Sequence, residues 1–265
     1  MSRTLLLLTF VLSLIGFTSR NHVEAVEFHV TTDIFVGADA KPVETHLTTF
    51  HANVVYDSVT SGPGQITIID FNQQLIYLLD TTDKTQFILK QQDVLGISTS
   101  LSIKLRAQLA RPDNKITEYI KAHFTPDFDV KDQKKNSTVI FAGTPLSYEV
   151  SFEKSLQNNA VQDYYRFCDW SANLNYATVL GGTPPQARFE VNQKLKEAQV
   201  FPKEIQRTIK NANPGRIEVV KSKHEFRWES TPQDEQRLTK FIQYQTNFRR
   251  IDRNEFFAKQ RANNK

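Results

Sequence analysis

Apolar and polar residues alternate with a period of two over most of the chain, which predicts half-buried β-strands. From Val26 to Val36 the even positions Val26, Phe28, Val30, Ile34 and Val36 are apolar, with Thr32 interrupting. The odd positions Glu27, His29, Thr31 and Asp33 are polar. Leu146, Tyr148, Val150 and Phe152 alternate in the same way with Ser147, Glu149, Ser151 and Glu153. Further strand-like runs cover 43–50, 53–59, 65–71, 74–80, 84–90, 127–131, 137–142, 201–210 and 216–229. Short turn signals such as Gly62-Pro63-Gly64, Asn72-Gln73, Thr81-Thr82-Asp83 and the stretch 211–215 separate them. About eleven strands with hairpin-length connections predict an antiparallel sheet.

The period changes to that of a helix in three regions. Residues 91–110 place Val94, Ile97, Leu101, Leu105 and Leu109 on one stripe that stops before Pro112. Residues 157–199 hold two helices, one carrying Val161, Tyr165, Cys168 and Ala172, the other opening at Thr183-Pro184-Pro185-Gln186 with Thr183 as its cap. Thr231-Pro232-Gln233-Asp234 opens a final helix through Leu238, Phe241, Ile242, Gln245 and Phe248. A short helix at 116–123 brings the count to between three and five. Strands, then helices, then strands again give an α+β domain over 26–254, its helices gathered on one side of the sheet. Residues 255–265 are expected to be a disordered basic tail.

The first 25 residues follow neither period. Arg3 precedes an almost wholly apolar run of about 14 residues from Thr4 to Phe17, and a polar stretch ends at Ala25. Val23 and Ala25 fit the small-residue rule of a secretory signal peptide, which puts the cut between Ala25 and Val26. The run is shorter than the ~20 residues a bilayer crossing needs. No later segment is apolar enough to span. The expectation is an exported protein, periplasmic or secreted, without a transmembrane anchor.

Cleavage would leave 240 residues, enough to bury ~70% of the unfolded surface without a metal or disulfide. That matters because Cys168 is the only cysteine; a lone thiol cannot close an intramolecular bridge. The formal charge is +4, and removing Arg3, Arg20 and Glu24 leaves +3. The excess sits at the end, where Lys240, Arg249, Arg250, Arg253, Lys259, Arg261 and Lys265 face only Asp252 and Glu255. Such a tail can touch an anionic envelope component.

Candidate chemistry is sparse. The histidines after the signal segment are His29, His46, His51, His123 and His224. His46 and His51 are five apart on one strand and therefore point to opposite faces, so they cannot share a metal. There is no His-Glu-x-x-His, no cysteine pair and no Asp-rich loop, and thus no metal site. His224 shares the even face of the last strand with Val220, Ser222, Phe226 and Trp228, the setting of a neutral core imidazole. No Gly-x-Ser-x-Gly elbow or glycine-rich phosphate loop occurs, and Cys168 falls on an apolar stripe where a thiol stays protonated. Asp70 and Asp80 end strands, as turn-forming aspartates do. Asn136-Ser137-Thr138 is a glycosylation acceptor only in a eukaryotic host. No catalytic residue, cofactor or nucleic-acid site is assigned.

Residues 65–90 read as strand, turn, strand, Asp80-Thr81-Thr82-Asp83-Lys84, strand. This meander resembles one in the periplasmic lipoprotein-carrier superfamily, the outer-membrane lipoprotein-sorting proteins and their exported relatives. Arg166-Phe167-Cys168-Asp169-Trp170-Ser171 is similar to a segment of uncharacterised exported bacterial proteins. The first resemblance implies a curved sheet or incomplete barrel whose helices cap a concavity for acyl chains, and a non-enzymatic role. Leu75 to Leu79 is apolar on both faces, which such a concavity explains and a helix covering the second face explains equally. The residues expected to line the concavity are Phe28, Val30, Leu75, Tyr77, Leu79, His224, Phe226 and Trp228. The alternative is an envelope interaction module that binds a protein or anionic polymer through its sheet or basic tail.

Overall fold

The computed structural model describes residues 27–61, 64–111, 116–133, 137–155, 157–179, 182–210 and 217–263. The expected signal segment with its expected cut, Asn136 and the 211–215 turn lie outside the described residues.

Six strands follow one another as a meander: β1 (Phe28–Val36), β2 (Glu44–His51), β3 (Val54–Val59), β4 (Gln65–Asp70), β5 (Leu75–Asp80) and β6 (Thr85–Lys90). Helices α1 (Gln91–Leu109) and α2 (Glu118–Phe124) lead to a second meander, β7 (Asp129–Gln133), β8 (Thr138–Ala142) and β9 (Leu146–Lys154). Helices α3 (Asn158–Thr178) and α4 (Gln186–Glu197) precede the long strands β10 (Val200–Lys210) and β11 (Ile217–Arg227). The chain closes with α5 (Pro232–Asn247), the two-residue β12 (Arg249–Arg250) and α6 (Arg253–Asn263).

β11 pairs with β1, setting Val30 opposite Phe226 and Thr32 opposite His224. This one ladder joins the meanders into a twelve-stranded sheet ordered β12-β6-β5-β4-β3-β2-β1-β11-β10-β9-β8-β7. Every ladder is antiparallel except that of β12 with β6. β12 and β7 stand at opposite ends, so the sheet is open rather than closed into a barrel. Asp70 and Asp80 are turn residues: Asp70 Oδ1 accepts from the backbone of Asn72 and Gln73 at 2.8 Å each, and Asp80 Oδ1 from Thr82 at 2.9 Å.

The main core lies between α3, α4 and the face of the sheet that carries Phe28, Val30, Phe50, Val55, Val150 and Ile205. Phe28 stacks on its ladder partner Phe50 at 4.0 Å with 7° between the planes, and Tyr165 donates from its hydroxyl to the Val200 carbonyl at 2.9 Å. On the same face, Ile69, Ile76, Phe87 and Leu89 pack with Val94 of α1, Leu174 and Ala177 of α3 and Phe256 of α6. The opposite face of β3–β5 packs Tyr56, Ile66, Ile68 and Leu79 against Leu238 and Phe241 of α5. The helices are therefore not all on one side. A strand that is apolar on both faces needs cover on both, and α5 supplies the second layer. The Gln86 amide ties α5 in place by donating to the Gln245 and Phe248 carbonyls at 3.0 and 2.7 Å.

Two further expectations are corrected. The C-terminal segment is helix α6 through Asn263, not a disordered tail from 255. Phe256 anchors it by stacking on Phe87 at 4.6 Å, and Lys259 pairs with Asp83 at 2.5 Å. Thr183 does not cap α4, which begins at Gln186 without a side-chain cap. The Pro184-Pro185 pair keeps the preceding residues extended, so Thr183 stands too far back. Thr231 does cap α5, in a reciprocal box with Asp234. Among the described residues no helix is long and apolar enough to cross a membrane.

Candidate ligand-binding site

The face of β1–β4 that meets α3 changes character along the strands. Phe28, Phe50, Val55 and Ile69 form an apolar row that α3 seals. Two residues further along β2, β3 and β4 the ladder places Thr48 opposite Asp57 and Asp57 opposite Thr67, and four residues beyond Phe28 on β1, Thr32 lies opposite both His46 and His224. Polar side chains there do not seal against the helix. A cleft of about 520 Å³ remains, within the roughly 300–1,000 Å³ of small-molecule sites.

Its opposite wall is one face of α3: Tyr164, Phe167, Cys168, Ser171, Ala172, Leu174 and Asn175, spaced at three and four residues. Ile34 and Val59 add apolar surface from the sheet, and Arg188 enters from α4. A smaller cavity of about 190 Å³ shares Gln65, Thr67, Leu174 and Asn175 with the cleft and runs toward Ile251, Phe256 and Lys259. The site is thus amphipathic and elongated.

The charges of the sheet wall are paired among themselves. His46 Nδ1 lies 3.0 Å from Asp57 Oδ2, and its Nε2 lies 3.4 Å from Glu44. Asp57 Oδ1 accepts from the Thr48 hydroxyl at 2.7 Å. Burial opposes the charged imidazole, but the hydrogen bond and charge of Asp57, followed by those of Glu44, raise its pKa to about 9. His224 has the reverse setting. Its Nδ1 meets Thr32 Oγ1 at 3.2 Å and its Nε2 meets Ser222 Oγ at 2.9 Å. Burial, and then the Arg188 charge, depress it to about 3, so the ring is neutral. Burial likewise pushes the Cys168 thiol up to about 11, with Arg188 opposing the rise.

Arg188 is half-buried and within electrostatic reach of Cys168, Tyr148, Tyr164 and Tyr165. Among the described residues no carboxylate lies at ion-pairing distance from it, whereas Arg166, Arg207, Arg227, Arg237 and Arg249 each have one. Of the eight residues expected to line a concavity, only His224 borders the larger cleft. Phe28 and Val30 share its face but are sealed, at 0% and 1% exposure. Phe226 packs on Phe201 at 4.4 Å, and Trp228 closes over Phe28 at 5.4 Å. Leu75, Tyr77 and Leu79 alternate onto the α5 face, and Leu79 also borders the smaller cavity. One sheet cannot turn Leu75 and Tyr77 toward the cleft that His224 borders.

Sequence reasoning passed over Arg188, Asp57 and Thr48. The sign available for the last two was a row of polar residues at inward positions of β2 and β3. Arg188 gave no sign, because Gln186-Ala187-Arg188-Phe189-Glu190 reads as a solvated helix start. Its inward placement follows from Ala187, Val191 and Leu195, which bury the neighbouring stripe of α4. The Arg166–Ser171 segment does converge on the site: Phe167, Cys168 and Ser171 line it, and Arg166 donates to Asn53 Oδ1 at 2.6 Å. His46 and His51 diverge, with His51 Nδ1 lying 3.2 Å from Glu27 instead. Among the described residues no group of His, Cys, Asp and Glu could hold a metal ion.

Neither a family model nor a curated protein sequence matches the chain. Among solved structures it is similar to a LolA superfamily protein from Nitrosomonas europaea, a fold-level resemblance. The identity is 7% and the TM-score 0.26, over 79% of this chain and 88% of that one.

Proposed function

We propose that the protein is a non-enzymatic carrier that holds a small amphipathic molecule in the cleft between α3 and the sheet, and that it works after export. The single observation behind this reading is the cleft, whose walls are apolar at Phe167, Leu174, Ile34 and Val59 and polar at Thr48, Thr67 and Asn175. Its titratable groups are ill suited to acid–base or nucleophilic chemistry near neutral pH. His46 is held protonated, His224 neutral, and the Cys168 thiol un-ionised. Export is supported by the pattern of residues 1–25.

The reading as a module that grips an anionic polymer through the C-terminal segment has less support. Arg249 is taken up by Glu255 and Lys259 by Asp83. The test is uptake of the uncharged fluorescent probe N-phenylnaphthylamine, displaced by unlabelled amphiphiles. Ala172→Trp, which fills the cleft, is expected to abolish uptake with the unfolding midpoint retained. Uptake undiminished by a folded Ala172→Trp protein would refute the proposal.

A further inference from the structure

The geometry points to a ligand with an anionic head, a carboxylate or a phosphate monoester, seated on Arg188 with its apolar body directed along α3. This inference rests on the carrier reading above and adds the chemistry and polarity of the ligand.

Three observations carry it. First, Arg188 borders the cleft as a half-buried cation with no carboxylate at ion-pairing distance among the described residues; Asp169, whose charge reaches it, is held instead by the Asn192 amide. A guanidinium removed from water is costly until an anion meets it, and its planar fork suits the two oxygens of a carboxylate or phosphate. Second, the other cleft charges offer no competing anion site. Glu44 and Asp57 are negative, and the one cation beside them, His46, is engaged by both. An anionic head is therefore repelled from the β2–β3 wall and finds its partner at the α4 end. Third, apolar surface continues away from that end. Phe167 and Leu174 lead to the smaller cavity, which Leu78, Ile251 and Phe256 border. A chain laid from Arg188 along this path exchanges water for apolar contact at each methylene.

The test compares dodecanoate, dodecyl phosphate and dodecanol as displacers of N-phenylnaphthylamine from the folded protein at neutral pH. Both anions are expected to displace the probe at concentrations about 10-fold or more below that of the alcohol, as a charge-assisted contact in a partly desolvated site implies. A preference for only one of the two anions would identify the head group. Arg188→Gln is expected to erase the preference while dodecanol still competes, and Arg188→Lys to keep part of it. Circular dichroism melts show which variants fold; should Arg188→Gln fail, the wild-type ratio and Arg188→Lys carry the decision. Equal displacement by all three amphiphiles in the wild type, or an unchanged preference in folded Arg188→Gln, would overturn the head-group assignment and leave the carrier reading standing. Failure of the wild type to bind probe or any amphiphile would remove the carrier reading itself.

Discussion

Ile68 and Ile69 are neighbours in the chain, both at 0% exposure, and they are buried by different helices. Ile68 packs with Leu238 and Phe241 of α5, and Ile69 with Val94 of α1 and Leu174 of α3. The double-sided apolar character of β4 and β5 is therefore largely used up by packing on one face, while the larger cleft opens on the other.

That separation predicts a dissociation of stability from binding. Ile68→Ala removes buried methyl groups beneath α5 and is expected to cost about 2–5 kcal/mol of unfolding free energy. Its affinity for the probe, measured well below the denaturation midpoint, is expected to equal that of the wild type. Urea titration and probe titration on the same preparation check both halves. A folded Ile68→Ala protein with a several-fold weaker affinity would show that the α5 face belongs to the binding site.

The strands were legible because their period-two pattern is strong, and β1 through β6 stand within one or two residues of where alternation puts them. The side of the sheet to which each helix goes was not legible. Leu238, Phe241 and Phe248 show an apolar stripe on α5 but not which face of β3–β5 it meets. The candidate site suffered most from this, because Phe28 and Val30 share a face with His224 while Leu75 and Tyr77 do not. Face assignment depends on counting residues through every hairpin, and one residue more or fewer in a turn flips the parity. The turns between the paired Asp70 and Leu75, and between Asp80 and Thr85, each hold four residues. Arg188 was invisible for another reason. Its role comes from its surroundings in three dimensions, where no carboxylate of the described residues lies at ion-pairing distance, and no spacing along a sequence records that.

Cys168 reports on the cleft from inside. Its thiol borders the cavity, yet burial holds its pKa at about 11, against the opposing charge of Arg188. At pH 8 only roughly one thiol in a thousand is ionised, so alkylation is expected on the order of 100-fold slower than for a free cysteine. The rate should climb with pH up to that value and fall again when dodecanoate occupies the cleft. Iodoacetamide labelling followed by intact-mass spectrometry gives the rate; fast native labelling at pH 8 would contradict the description of this wall. Cys168→Ala is expected to cost about 1–2 kcal/mol through the small cavity it leaves.

His46 and His224 line one cleft and bind stability to pH with opposite signs. His224, depressed to about 3 by burial and then by Arg188, stays neutral in the folded protein while the unfolded chain takes up a proton below ~6.5. The unfolded state then binds more protons, so this residue's contribution is lost as pH falls from about 6.5 toward 3, at up to about 1.4 kcal/mol per pH unit. Burial lowers His29 and His123 as well, against the raising effects of Asp234 and of the Tyr119 carbonyl respectively, so they add to the same slope. His46 behaves in reverse. Burial notwithstanding, Asp57 and Glu44 raise it to about 9, so the folded state binds the extra proton. Its stabilisation, on the order of 3 kcal/mol, is fully present below ~6.5 and is lost as pH rises through about 9. Urea unfolding at pH 4, 5, 6.5, 8 and 9.5 is expected to give a maximum near pH 6.5. His224→Asn should flatten the acid side alone, and His46→Gln the alkaline side alone. A His46→Gln protein that still loses several kcal/mol between pH 6.5 and 9.5 would show that the Glu44–His46–Asp57 group does not hold the proton assigned to it.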